Sequence, residues 1–212
     1  MKKIIAFLLI FVLVFSLAGC KGADPKEKFY GTWVAEVDLA DFLKAKIVNV
    51  NESLKDWLRL SEYPATITLT FNEDGSFERK VDGEFGTDTL DTLKAELLNG
   101  YNAYYADYLR GRGLDMTVEE FEKSSGISLK LKVEQVANAD YLKNILNDLN
   151  HSGAYLVEED HLYFGTHMNV EEKKNEQTYS LEEGKLTFEK AAVSAEYEEA
   201  FYPLTFVKKD AE

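Results

Sequence analysis

The chain is poor in cysteine, arginine, histidine and proline, and each shortage excludes something. Its single cysteine, Cys20, rules out an intramolecular disulfide, so packing alone must stabilise the folded domain. Four arginines and a formal net charge of −14 argue against nucleic-acid binding, which depends on Lys and Arg neutralising phosphates. The same acidic balance argues against direct contact between the domain and an anionic membrane surface, which would repel it.

The sequence also lacks the patterns of common catalytic and metal sites. It has no Gly-x-Ser-x-Gly elbow and no P-loop. The three histidines, His151, His161 and His167, have spacings of 10 and 6, which match no standard ligand pattern. The acidic runs fall at predicted turns, where water solvates them. We therefore expect a protein that is not an enzyme, with no catalytic residue, no metal and no cofactor.

The one long hydrophobic run lies at the start of the chain. Lys2 and Lys3 precede an apolar stretch from Ile4 to Leu17, and small residues then lead to Cys20. This order is typical of a secretory signal peptide. The apolar stretch has about 14 residues, whereas a helix that spans a bilayer needs roughly 20.

The segment Leu17-Ala-Gly-Cys20 resembles the lipobox of bacterial lipoproteins. The resemblance implies that residues 1–19 are cleaved off and that Cys20 carries a diacylglycerol thioether. It also implies a lipid-anchored location on the extracytoplasmic side of the cell membrane. Residues 20–28 would then be the lipidated cysteine and a polar tether, and residues 29–212 the folded domain. Loss of two lysines with the signal peptide moves the formal net charge from −14 to −16.

Beyond the tether, short runs rich in β-branched and alternating apolar residues predict antiparallel strands. Thr66–Phe71 alternates with period two, and Asn72-Glu-Asp-Gly75 is a hairpin turn into the next run. Eight strands are predicted, at 30–37, 66–71, 76–81, 154–158, 162–165, 177–181, 185–190 and 204–208. Eight strands in hairpin sequence favour an up-and-down barrel, which has no exposed sheet edges. The alternative is an open β-sandwich or sheet packed by helices.

Two helical inserts, at about 38–60 and 87–150, interrupt the predicted strands. The first has an apolar stripe, with Asp38 as its predicted N-cap and Trp57 as its packing anchor. The fold class is therefore α+β, with a mainly antiparallel barrel.

The second insert carries several helix boundaries. Gly111 is predicted to help end its first helix, and Thr117 and Glu120 match a capping box that starts a short helix ending near Gly126. Residues 140–149 predict a further helix. The strict alternation of residues 127–133 is typical of a strand, but Ser128 is a possible N-cap, and the position between helices favours a helix, which we predict.

The first predicted strand opens with Gly31-Thr32-Trp33, which resembles the Gly-x-Trp opening of lipocalins. Residues 69–77, 153–162 and 179–186 are similar to segments of lipocalin-like domains in bacterial lipoproteins. The resemblance implies an eight-stranded lipocalin-like (calycin-type) barrel with Trp33 in the core at its base. The chain departs from the family in one respect at this base. The last-strand arginine that packs on the lipocalin tryptophan is replaced by Lys208 or Lys209.

The candidate binding residues are four tyrosines on one predicted helix: Tyr101, Tyr104, Tyr105 and Tyr108. Tyrosine combines a large apolar ring with a polar tip, which suits a pocket wall or an interface. Under one hypothesis this helix covers the barrel mouth and its tyrosines line a ligand cavity. Under the other it packs on the outer wall of the sheet and the tyrosines belong to an ordinary core.

Taken together, these features predict a membrane-anchored protein that binds a small apolar or amphipathic ligand and performs no chemistry on it. An eight-stranded barrel is just wide enough to be filled by side chains or to hold one small ligand. The alternative function is a structural or interaction module that docks on a protein of the cell envelope.

Overall fold

The computed structural model describes residues 24–83, 86–191 and 198–209. The predicted signal peptide and Cys20 lie outside these residues. Within them, nine antiparallel strands form a nearly closed barrel accompanied by helices. The strands are β1 Gly31–Asp38, β2 Pro64–Phe71, β3 Ser76–Asp82, β4 His151–Glu158, β5 His161–Gly165, β6 Glu176–Gln177, β7 Tyr179–Glu182, β8 Lys185–Phe188 and β9 Leu204–Lys208.

The barrel has nine strands where the sequence predicted eight. The strand order is β6-β5-β4-β3-β2-β1-β9-β8-β7, so the two edges of the sheet are β6 and β7. A single residue, Thr178, separates these edges along the chain. The predicted strand 177–181 is divided here because its first part pairs with β5 and its second part pairs with β8. The count of eight is therefore not confirmed, and the chain itself joins the two edges.

Buried and more exposed residues alternate along the strands, so one face of the sheet lies inside the barrel. In β2 the residues Ala65, Ile67, Leu69 and Phe71 are buried and the residues between them are not. The hairpin into β3 contains Gly75, whose φ of +82° suits glycine. Asp74 accepts a hydrogen bond from the Ser76 backbone N–H at 2.8 Å, which completes the predicted turn.

Trp33 is buried in the barrel core. It is 1% exposed, and its indole N–H donates to the Phe29 carbonyl at 2.7 Å. Lys208 pairs with Trp33 across β1 and β9, and its ammonium lies 5.2 Å from the centre of the indole ring. Lys208 thus packs as a cation on the tryptophan. The sequence left open whether Lys208 or Lys209 lies at this position, and in the structure it is Lys208.

Five α-helices lie in the described ranges, and they occupy the two segments between strands. They are α1 Ala40–Val50, α2 Thr87–Gly111, α3 Val118–Ser125, α4 Leu129–Val136 and α5 Ala139–Asp148. None of the helices in these ranges is long and apolar enough to cross a membrane. Helix α4 confirms the helical choice for the alternating segment, because the Ser128 hydroxyl accepts from the Leu131 N–H at 3.3 Å.

The predicted helix ends are confirmed in the second insert and corrected in the first. Thr117 and Glu120 form the reciprocal capping box of α3, and Gly126 ends that helix with a φ of +73°. In the first insert Leu39, not Asp38, is the N-cap of α1. The Asp38 carboxylate instead accepts from the backbone N–H groups of Ala40 and Tyr63, at 2.9 and 2.7 Å. It therefore ties the start of the insert to its end.

The packing of the first insert also differs from the predicted stripe. Helix α1 ends at Val50, and a short 3₁₀ helix, Glu52–Leu54, follows it. Leu54 and Leu58 are fully buried, whereas Trp57 is only partly buried. Leucines rather than the tryptophan therefore anchor this part of the insert.

Barrel and helices share one hydrophobic core. Among the described residues, the buried members of this core run from Phe29 to Phe206. Hydrogen bonds also join the two layers: the Asn150 side chain accepts from the Val81 N–H at 2.8 Å. The Tyr63 hydroxyl donates to Glu96 of α2 at 2.5 Å. The helices are thus packed on the barrel and hydrogen-bonded to it as part of one domain.

Candidate ligand site in the barrel

A cavity of about 280 Å³ opens into the barrel at the end where β4 begins and β5 ends. Its walls are mostly apolar and aromatic. The rings of Phe77 and Phe164 lie 4.6 Å apart, those of Phe164 and Phe188 6.0 Å, and those of Phe188 and Phe206 5.5 Å. Leu69 and Leu204 complete the apolar surface. A hydrocarbon group bound against this lining would be removed from water more completely than one on an open surface.

The remaining lining residues are mainly polar. They are Arg79, His151, Ser152, Gly165, Thr166, Asn169, Asn175, Gln177, Ala191 and Tyr202. None of the described lining residues is an aspartate or a glutamate. The cavity therefore has an apolar interior and a polar boundary whose only fully charged side chain, among the residues described, is Arg79.

The pleat of β3 explains why an arginine lines the cavity. Arg79 lies between Phe77 and Val81 on the inward face, and its cross-strand partners are Leu69 on β2 and His151 on β4. Because neighbouring strands place directly opposite residues on the same face, all three belong to one wall. The Arg79 Nε donates to the Leu149 carbonyl at 2.9 Å, which ties the side chain to the end of α5.

Gln177 closes the barrel next to the cavity. It is 3% exposed, and its side-chain Nε2 donates to the carbonyls of Thr178 and Lys190, at 2.9 and 2.6 Å. Its backbone pairs with Leu162 of β5, while Lys190 lies just after β8. The side chain therefore bridges the break between the two edge strands and holds that wall of the cavity in place.

Close backbone contact shapes the rim at β4 and β5. A Cβ atom on Gly153 would overlap the carbonyl oxygen of Gly165, and one on Gly165 would lie 2.7 Å from the Asn169 side-chain oxygen. That oxygen accepts from the Thr166 N–H at 2.7 Å. Glycine at these two positions lets β4, the end of β5 and the segment after it approach one another closely at the mouth.

The four predicted tyrosines lie together on α2 but not at this cavity. Tyr101 is 3% exposed and its hydroxyl donates to Asn51 at 3.1 Å; burial raises its pKa. Tyr104, Tyr105 and Tyr108 form a cluster with Phe121 of α3, with the Tyr105 and Phe121 rings 5.4 Å apart. None of the four is among the residues that line the barrel cavity. Their contact with a ligand stays a prediction.

The histidines do not converge on a common site. His151 lines the cavity, whereas the His161 ring nitrogen lies 2.6 Å from the Glu176 carboxylate on β6. That hydrogen bond raises the pKa of His161. Across the described ranges, no group of three or more His, Cys, Asp or Glu side chains is arranged to hold a metal ion.

Sequence reasoning missed Arg79 and Gln177 as site residues. A signal for Arg79 exists, because it shares the period-two face of β3 with Phe77 and Val81, where an apolar residue is expected. Gln177 has no comparable local signal, since its partners come from the opposite edge of the sheet.

Comparisons with known proteins identify no relative. The chain matches no protein-family model, no curated protein and no solved structure. The features that bear on function are thus those of the described residues themselves: the nearly closed barrel, its apolar cavity and the arginine in the cavity wall.

Proposed function

We propose that this chain is a lipid-anchored, extracytoplasmic protein whose lipocalin-like barrel binds a small apolar or amphipathic ligand without catalysis. The observation that carries the proposal is the cavity of about 280 Å³ between β3, β4, β5, β8 and β9. Ligand sites in proteins are concave, mostly apolar, and have a few polar groups at defined positions. The aromatic walls and the polar boundary fit that description.

Two further observations support a lipocalin-like barrel. The Gly-x-Trp segment begins β1, and Trp33 is buried with a cation from the last strand over its ring. That strand supplies Lys208, at the place where the family resemblance implies an arginine. Because both ammonium and guanidinium groups are attracted to the face of an indole, the lysine can serve the same packing role.

The anchor and the tether would hold the binding domain close to the membrane. Eight fully extended residues would span about 26–29 Å, at roughly 3.3–3.6 Å per residue. Residues 25–29 form turns, so the link formed by residues 21–28 is shorter than that. The formal net charge, −16 once the two lysines of the signal peptide are lost, would repel the domain from anionic headgroups. A lipid on Cys20, rather than the surface of the domain, would then provide the attachment.

Native mass spectrometry of residues 21–212, purified without detergent, tests ligand binding. We expect an adduct after incubation with a lipid extract, released on denaturation. The variant Ala191→Trp, which places a large ring at the cavity lining, should abolish the adduct. Its matched control is Ala95→Trp, on an exposed face of α2.

The tyrosine hypothesis is tested in the same experiment. A Tyr104→Ala/Tyr108→Ala variant should keep the adduct if the ligand occupies the barrel cavity, and should lose it if the ligand lies beside α2. Binding that disappears only in the tyrosine variant would move the site to α2. No adduct in any form of the protein would reject ligand binding.

Docking on a protein of the cell envelope is the second candidate function. It is favoured by exposed apolar side chains near the end of α2: Tyr108, Leu114 and Met116 are 38%, 48% and 36% exposed. A photo-crosslinking amino acid at position 114 should capture a discrete envelope protein if this surface docks. The control position is Met168, which is 93% exposed and lies elsewhere. Equal labelling from both positions would argue against docking.

A further inference from the structure

We propose that the barrel holds its cavity at the end that faces away from the membrane anchor, and that the ligand is a compact molecule taken from the surrounding water. Such a ligand has one short chain or one small ring system, unlike a two-chain lipid drawn from the bilayer. The inference rests on the proposed binding function and lipid anchor, and it names the size and source of the ligand. It is carried by one juxtaposition: an aromatic cluster lies across the barrel between the tether and the cavity.

The aromatic cluster closes the end of the barrel where β1 begins. Phe29 is fully buried, and its ring lies 5.5 Å from that of Phe71 on β2 and 5.2 Å from that of Tyr179 on β7. Since β2 and β7 are four places apart in the sheet of nine strands, Phe29 reaches across the barrel. Trp33 donates to the Phe29 carbonyl at 2.7 Å, and the buried Tyr155 ring lies 4.8 Å from that of Phe71. These five residues define the closed end.

The described part of the tether is held at this closed end. Residues 25–29 form turns rather than an extended strand. The Lys26 ammonium lies 5.7 Å from the centre of the Tyr155 ring, and the Lys28 ammonium lies 5.5 Å from the centre of the Tyr179 ring. Lysine heads over aromatic faces are attracted to them. The chain towards Cys20 therefore leaves the barrel from its closed end.

The short remaining link orients the domain on the membrane. The four residue spacings from Cys20 to Asp24 reach at most about 14 Å, at roughly 3.3–3.6 Å each. Strand β1 has eight residues, and at roughly 3.3 Å per residue and a tilt of roughly 35–45° it gives a barrel height of about 20 Å. A lipid on Cys20 would thus hold the closed end near the bilayer and the other end farther out.

The cavity lies at this other, far end. Its exposed lining residues include His151 and Ser152 at the start of β4, and Thr166 and Asn169 after the end of β5. Strand β4 runs towards the closed end and β5 runs away from it, so these four residues share the far end. None of the five residues of the aromatic cluster is among the described residues that line the cavity. A ligand therefore reaches the cavity from the side of the domain that faces the water.

The volume of the cavity sets the size of the ligand. At roughly 30 Å³ for each water-sized group, 280 Å³ holds about nine groups. This corresponds to one chain of about eight to ten carbons or to a small ring system. A phospholipid with two long acyl chains has several times as many carbon atoms. Compact molecules of the first kind dissolve singly in water, so they can reach the far end without contact between the cavity and the bilayer.

Fluorescence energy transfer tests the orientation. In residues 20–212, the only cysteine, Cys20, is coupled to a maleimide lipid in phosphatidylcholine vesicles that carry rhodamine headgroups. A coumarin-bearing amino acid replaces either Glu73, exposed in the turn at the closed end, or Met168, 93% exposed beside the far-end residues. We expect transfer to be several-fold more efficient from position 73. The same labelled proteins with Cys20→Ser provide the background for unattached domains.

Isothermal titration of residues 21–212 with 1-hexanol, 1-octanol, 1-decanol and 1-dodecanol tests the size. We expect about fourfold tighter binding for each added methylene up to 1-octanol, because each buried methylene adds a similar apolar area. No further gain is expected beyond 1-decanol, since the cavity is then full. Ala191→Trp should abolish binding, and its matched control Ala95→Trp should preserve it. After incubation with phosphatidylcholine vesicles, native mass spectrometry should show no phospholipid adduct.

The outcomes separate the two proposals. Equal or greater transfer from position 168 would overturn the orientation. A phospholipid adduct, or affinity that keeps rising at 1-dodecanol, would overturn the compact class and leave ligand binding intact. Failure of every alcohol and of the phospholipid to bind would reject the proposed function itself.

Discussion

At the scale of single residues, Lys208 of β9 packs on Trp33 of β1. Its ammonium lies over the Trp33 ring, and its alkyl chain passes 3.5 Å from where a Cβ on Gly31 would lie. A lysine stem can cover apolar surface while its charged end remains near water. Packing and charge therefore act together at the start of β1.

Truncating this lysine should destabilise the domain. We expect Lys208→Ala to lower the free energy of unfolding by about 0.5–1 kcal/mol, measured by urea denaturation. Lys208→Arg should retain most of the stability because its guanidinium can occupy the same place. The control is Lys209→Ala, the exposed neighbour. Equal losses in the two alanine variants would show that the contact with Trp33 contributes nothing.

Two buried tyrosines make the second residue-scale feature. Tyr63 donates to Glu96 at 2.5 Å, and Tyr155 donates to the Asn72 carbonyl at 3.0 Å. Burial raises the pKa of both, and for Tyr63 the bond to the Glu96 carboxylate adds to the effect. The folded protein thus retains both protons at a pH where the unfolded chain releases them.

This difference predicts a loss of stability in alkali. The unfolded tyrosines titrate near their ordinary pKa of about 10, so above that pH the unfolded chain binds fewer protons and unfolding becomes easier as pH rises. A Tyr63→Phe/Tyr155→Phe variant should show a shallower decline between about pH 9.5 and 11. Urea unfolding across that range measures both slopes. Parallel curves for the two proteins would contradict the assignment.

At the scale of elements, the contact between β4 and β5 depends on glycine. Ala154 pairs with Gly165, and the neighbouring Gly153 lies so close to the Gly165 carbonyl that a methyl group has no room. On its other side, a methyl group on Gly153 would lie 3.1 Å from the Phe77 ring. Two strands and the rim of the cavity are therefore coupled at one position.

Gly153→Ala should consequently destabilise the domain by about 1–3 kcal/mol, because the backbone of β4 or β5 must move. Thermal and urea unfolding provide the measurement. Gly111→Ala is the control, since no atom lies within 4 Å of its Cβ position at the end of α2. A gain of stability of up to about 1 kcal/mol is expected there. A tolerated alanine at position 153 would show that the strands separate easily.

At the scale of the whole molecule, one core joins barrel and helices, and a cavity lies within one end of the barrel. The ends of β1 and β3 lead into the helical segments, and the second segment returns to the barrel at the start of β4, beside the cavity. The cavity is the feature on which the proposed binding of a small apolar or amphipathic ligand depends.

Lipid attachment is the prediction that belongs to this scale. In a bacterial host fed an alkyne analogue of palmitate, the full chain should be labelled and should fractionate with membranes. Cys20→Ser should abolish the label, because the sequence has no other cysteine to carry a thioether. Ser16→Ala, a change within the same apolar segment, is the control and should remain labelled. Labelling that persists in Cys20→Ser would contradict the lipobox assignment.

Much of the local structure could be predicted from the sequence because it depends on near neighbours. The hairpin at Asp74 and Gly75 and the capping box of α3 are examples: each is decided by residues within three or four positions. The division of the predicted strand 177–181 could not be predicted in this way. It results from pairing with β5 on one side and β8 on the other.

The sequence by itself therefore determined the α+β class, the antiparallel strands and most helix ends, since periodicity and capping are local properties. Only the tertiary structure decided that Arg79 lines a cavity, that Gln177 bridges the closing edge, and that Lys208 covers Trp33. Each of these depends on strands brought together from distant parts of the chain. The physical reason is that register and barrel closure are set by long-range pairing and packing, which no short segment encodes.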